Sequence, residues 1–193
     1  VLMSLVTVIS AQDAANPEAD PLFATVDLVA GEELDPFLIS VVATGTVDAS
    51  TVAEGCVGFI PAEPDVALHW NGESELLRIF FYSIHDATLT VVTPDGDVFC
   101  NDDASGTIFD PLVDIAGPAE GRYAIHVGHV ALEQEYPGLL VITSDDTYGP
   151  SNFDLEGLVP RDPVIDEGII TQLPIEILQT EHPPLNEDNI FNL

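Results

Sequence analysis

The sequence predicts an all-β fold: a β-sandwich or jelly-roll-like single domain with extended N- and C-terminal segments. Two observations carry this. No 3.6-residue apolar periodicity lasts ten residues, whereas short alternating or β-branched runs recur between Gly, Pro and Asp turns over residues 21–146. Apolar residues make up 46% of the 193-residue chain, enough for a sizeable core, which excludes disorder along the whole length. Eight or nine short strands punctuated in this way fit two packed sheets.

Residues 1–20 read as a signal-peptide remnant or an N-terminal connector. The stretch VLMSLVTVISA resembles the end of a signal-peptide apolar region, and at about ten mostly apolar residues it is too short to span a bilayer. QDAANPEADPL, residues 12–22, suits a linker. Phe23 to Ala30 alternates as a strand, and Phe37 to Val42 is a second β-rich run, followed by turn residues at 48–51. Cys56 to Ile60 is predicted as a new strand. Val66, Leu68 and Trp70 alternate with Ala67 and His69 before the turn pair Asn71-Gly72. Leu76 to Ile84, the most apolar run inside the chain, is predicted as a central strand buried on both faces. Leu89 and Val91 precede the turn Pro94-Asp95-Gly96-Asp97. Short strands follow at Val98 to Cys100 and at Leu112 to Ile115, with an acidic loop between them. Tyr123, Ile125 and Val127 alternate inward, and Leu139 to Thr143 closes the set. Residues 147–193 form a Pro-rich acidic tail with an apolar, strand-competent patch at 169–178.

Charge narrows the partners. The chain has 34 acidic residues against Arg78, Arg122 and Arg161, no lysine, and a net charge of −31. Such a chain repels phosphate backbones and anionic membrane surfaces, which excludes nucleic acid as a partner. Cations, above all calcium, and basic proteins are favoured, and the same charge maintains solubility in a salty or extracellular medium. Cys56 and Cys100 suit one disulfide in an oxidising compartment, or two buried thiols in a reducing one. The signal-like N-terminus selects the disulfide, and with it secretion to the extracellular medium or the cell surface.

The run DATLTVVTPDGDVFCNDDASG, followed by DPLVDIAGPAEGRYAIHVG, resembles the bacterial pre-peptidase C-terminal domain family. Upstream, VVATGTVDAS, Gly55-Cys56-Val57-Gly58 and PDVALHW are similar to its two-cysteine variant in secreted proteins, so that the likeness covers roughly residues 35 to 143. This resemblance implies a jelly-roll-like sandwich acting as a non-catalytic accessory module, and it supports the Cys56–Cys100 bridge.

Asp95, Asp97, Asn101, Asp102, Asp103 and Asp110 are the candidate metal ligands, because calcium takes six to eight oxygens and turn carboxylates supply them. The alternative use of these residues is capping their own turns. An EF-hand does not fit, since the twelfth position counted from Asn101 is Leu112. His126 and His129, three apart on a strand, face opposite sides and chelate zinc poorly. Ser83 beside His85-Asp86 lacks the GxSxG elbow of a hydrolase, and no phosphate-binding loop is present. Trp70, Tyr82, Tyr123 and Tyr136 suit core packing better than a sugar-stacking face. The apolar segments containing Val6, Val8 and Ile9, and Ile169, Ile170, Leu173, Ile175 and Ile177, are candidates for completing a neighbour's sheet. The expected function is a secreted, non-catalytic structural or binding module. Its partner is a second copy in a homopolymer, another extracellular protein, or a polysaccharide. A small hydrolase using acidic residues is the alternative.

Overall fold

A computed structural model describes residues 14–31, 35–131 and 135–155. Contacts divide the chain into Val1–Phe153 and Asp154–Leu193, and the sandwich lies in the first unit. Among the described residues there are eleven strands: β1 (Ala24–Val29), β2 (Phe37–Ala43), β3 (Val47–Asp48), β4 (Phe59–Ile60), β5 (Val66–Asn71), β6 (Leu76–Tyr82), β7 (Ala87–Val92), β8 (Val98–Asn101), β9 (Leu112–Ala116), β10 (Gly121–His129) and β11 (Tyr136–Thr143). One turn of 3-10 helix, Ala49–Thr51, is capped by the Asp48 side chain. No helix of the described residues is long and apolar enough to cross a membrane.

The predicted all-β sandwich is what forms: two sheets, one of seven strands and one of four. In the larger sheet β10 is the spine. One of its edges pairs with β7; the other pairs with β5 over Gly121–Ile125 and then with β4 at His129. β8 extends the sheet beyond β7, and β1 adds to β5 as a parallel pair. The smaller sheet runs β2-β11-β6-β9, antiparallel throughout. Side chains alternate across each strand, so every second residue faces the opposing sheet. Val66, Leu68, Trp70, Leu89, Val91, Tyr123, Ile125 and Val127 meet Leu77, Ile79, Phe81, Val113, Ile115, Leu140 and Ile142 in one core.

Two predicted strands are corrected. Cys56 to Ile60 is a turn for most of its length, and only Phe59–Ile60 is strand. Gly58 has φ +84°, and a Cβ there would lie 2.7 Å from the His129 carbonyl oxygen, so the chain turns at Gly58 before it can pair. Leu76 to Ile84 ends as a strand at Tyr82, because the next N–H, that of Ser83, donates to the Asp110 carboxylate instead of a ladder. Its outer face is closed only at Phe80, against which the Phe153 ring packs edge-on at 5.4 Å.

The strand most completely enclosed is β7, where even Thr88 and Thr90 on the outer face are buried. They lie under a flap made by the chain between β2 and β5. Val47, Ala49, Cys56 and Ile60 of this flap form a second apolar cluster, with Val98 and Cys100 of β8 packed against it. The flap crosses β10 at Gly128, where any Cβ would fall 2.2 Å from the Phe59 carbonyl oxygen. The Cys56–Cys100 disulfide pins the flap to β8. Cys100 pairs in register with Thr90, so the bond lands directly over the buried threonine row.

Candidate functional site

The six candidate ligands fall at opposite ends of the sandwich. Asp95 and Asp97 occupy the exposed turn between β7 and β8. Asn101 is the last residue of β8, at its far end, and Asp102, Asp103 and Asp110 follow in the loop that crosses to β9. Strand β8 separates the two groups by about 13 Å at the usual rise per residue, so they make no common cage. Two of the set hold backbone: Asn101 Oδ1 accepts from Leu112 N–H at 2.9 Å, its Nδ2 donates to the Asp103 carbonyl at 3.0 Å, and Asp110 Oδ1 accepts from Ser83 N–H at 2.9 Å. Burial raises the Asp110 carboxyl above its ordinary range, and that hydrogen bond opposes the shift. Among the described residues no group of three or more His, Cys, Asp or Glu is placed to hold a metal ion.

The other candidate groups serve the scaffold. Ser83 Oγ donates to the Pro137 carbonyl at 3.1 Å and accepts from His85 N–H at 3.2 Å, which shapes the β6–β7 turn. The His85 ring stacks on Tyr136 at 4.6 Å. His126 Nδ1–H donates to the Pro61 carbonyl at 3.1 Å under the flap, and burial pushes its pKa down to about 4. His129 Nε2–H donates to the Gly45 carbonyl at 3.1 Å. Arg78 crosses the outer face of the smaller sheet. Its Nε and Nη2 meet both Asp114 carboxylate oxygens at 2.7 Å, and Nη1 donates to the carbonyls of Asp146 and Tyr148. A shallow groove of about 360 Å³ lies beside it, lined by Ser105, Ile108, Leu112 and residues 146–152.

Two features remain open to a partner. The first is the end of the sandwich where the loops after β6, β8 and β10 gather, with Ile84 93% exposed and Phe109 58% exposed. Sequence reading assigned Ile84 to a buried strand and passed over Phe109. The available signal was an isoleucine enclosed by Ser83, His85 and Asp86 in a polar turn. The second is β2. It is bonded to β11 on one side, and among the described residues no backbone hydrogen bond reaches it on the other. Val6, Val8, Ile9, Ile169, Ile170, Leu173, Ile175 and Ile177 lie outside the described residues.

No protein-family model matches the chain, and no curated protein matches it. Among solved structures it is similar to PliG of Aeromonas hydrophila, a periplasmic inhibitor of g-type lysozyme. The identity is 15%, the match covers 65% of this chain and 98% of that one, and the TM-score is 0.38. At that TM-score the likeness carries no argument about this chain.

Proposed function

We propose that this chain is an exported, non-catalytic β-sandwich module that joins an extracellular or cell-surface assembly by strand addition, with β2 as the acceptor edge. The observation that supports it is the chemistry of the edges. An open strand edge is a template for another chain, and proteins ordinarily blunt it with charge, brevity or a cover. Edge strand β1 carries Asp27, β9 carries Asp114, and β8 is four residues long and tied to the flap by the disulfide. β2, with the sequence FLISVVA, has seven residues, no charge and no proline. Main-chain hydrogen bonds along such an edge supply affinity, and alternate side chains supply register. The donor is an apolar terminal segment of a second copy, either residues 1–10 or the stretch IITQLPIEIL at 169–178. Export is supported by the disulfide and the signal-like N-terminal stretch. The resemblance to the pre-peptidase C-terminal domain family implies a non-catalytic accessory module.

Electron microscopy and sedimentation of the purified full chain test the reading. The unmodified protein is expected to form regular filaments or sheets. The variant Ser40→Lys with Val42→Lys places two charges along β2 and is expected to stay as single particles with an unchanged melting temperature. Dispersed particles of the unmodified protein, or assembly that survives the two lysines, would count against it.

A further inference from the structure

Three loops at one end of the sandwich each hold an apolar side chain in solvent: Ile84 on the β6–β7 turn at 93% exposure, Phe109 on the β8–β9 loop at 58%, and Val130 just past β10 at 38%. They form one neighbourhood. The Ser83 N–H bond to the Asp110 carboxylate ties the residue before Ile84 to the residue after Phe109. The pairing of His129 with Ala87 brings Val130 level with Asp86. Single exposed apolar residues are ordinary, but three on adjoining loops make a patch. Carboxylates frame it. The antiparallel pairing of Leu89 with Asn101 carries Asp102 and Asp103 back toward Asp86, whose carboxyl is held above the usual range first by partial burial and then by these two acids. The described arginines lie elsewhere: Arg78 is engaged by Asp114, and Arg122 by the carbonyls of Pro17 and Ala19.

We propose that this end is a docking surface for a cationic protein, one that presents lysine or arginine side chains around an apolar cleft receiving Ile84 and Phe109. The charge complementarity excludes a second copy of the chain, which has no lysine and three arginines in all. In such a contact the carboxylates govern encounter and partner choice, and the desolvated apolar anchors govern residence. The surface is separate from the β2 edge, so either reading stands or falls without the other.

The test titrates a soluble lysine–leucine peptide into isotope-labelled full-length protein, with an all-lysine peptide and a glutamate–leucine peptide as comparisons. The lysine–leucine peptide is expected to shift the backbone amides of residues 83–86, 102–110 and 130. Asp86→Asn with Asp102→Asn and Asp103→Asn, and separately Ile84→Ser with Phe109→Ser, are each expected to weaken binding about tenfold. Neutralising Glu73, Asp95 and Asp97 at the opposite end is expected to leave binding unchanged. Melting temperatures of all three variants confirm that they fold. Shifts spread evenly over the surface, equal binding of the all-lysine peptide, or equal weakening by the opposite-end variant would overturn the proposal. Each of those results means that the charge of the whole chain, and not this end, attracts the peptide.

Discussion

Replacing Cys56 and Cys100 together by alanine is expected to lower stability by roughly 4 kcal/mol and the melting temperature by roughly 8–16 °C. The bond closes a loop with a sequence separation of 44, and the chain entropy it removes from the unfolded state sets the first figure. The folded state adds a second consequence. The flap rests on the outer face of β7 and β10 through a small cluster, chiefly Val47, Ala49, Cys56 and Ile60. Beneath it Thr88, Thr90 and His126 are buried, and Thr88 Oγ1 donates to the Val57 carbonyl of the flap at 3.0 Å. Without the bond the flap is the first part to open. Hydrogen exchange is therefore expected to quicken at residues 47–60 before it quickens in β6 and β11. A drop under about 2 °C with uniform protection would show that the apolar cluster alone holds the flap.

Lowering the pH from 7 to 4 is expected to remove roughly 3 kcal/mol through His126. Burial pushes this imidazole from 6.5 down to about 4, so the unfolded chain takes up a proton in that window and the folded chain does not. The stability due to neutral His126 is complete above pH 6.5 and is lost as the pH falls toward 4.

Asp65 acts with the opposite sign. It is fully buried, and desolvation raises its carboxyl well above the usual range. Its contribution is complete below the unfolded value and is lost as the pH rises through the folded one. The cause lies in the pairing along β10. β5 stops at Ile125 and β4 begins at His129, which leaves the Val127 N–H between them, and Asp65 Oδ2 accepts it at 2.5 Å. The other oxygen, Oδ1, is buried without a hydrogen-bond partner among the described residues. Asp65→Asn retains an acceptor for Val127 and removes the charge. It is expected to be more stable than the unmodified protein at pH 7, level with it near pH 4, and steeper between, because His126 then titrates unopposed. Denaturant unfolding at several pH values reads this directly. Equal destabilisation by Asp65→Asn at both ends of the range would show that the buried carboxylate is not strained by its charge.

Much of this fold was legible residue by residue. Val66, Leu68 and Trp70, and Tyr123, Ile125 and Val127, alternate as half-buried strands must, and each faces the core. Asn71-Gly72 turns where its composition says, with Gly72 at φ +82°. Other readings failed for reasons that local pattern does not contain. The apolar run to Ile84 looked continuous, but the Asp110 carboxylate takes the Ser83 N–H and turns the chain out, leaving Ile84 in solvent. The acids from Asp95 to Asp110 looked like one cluster because they are near in sequence, whereas an extended strand carries them to opposite ends.

The sequence by itself determined the all-β class, most strand positions and the one pairing two cysteines allow. Side-chain alternation and turn chemistry are properties of neighbouring residues. Which strand is an open edge, which threonines lie beneath a flap, and which acids share an end with Ile84 and Phe109 were decided only in the tertiary structure. Those outcomes depend on where residues far apart in the chain cross and hydrogen-bond. The open edge of β2, on which the proposed function rests, and the apolar end framed by carboxylates, which carries the docking proposal, both belong to that second kind.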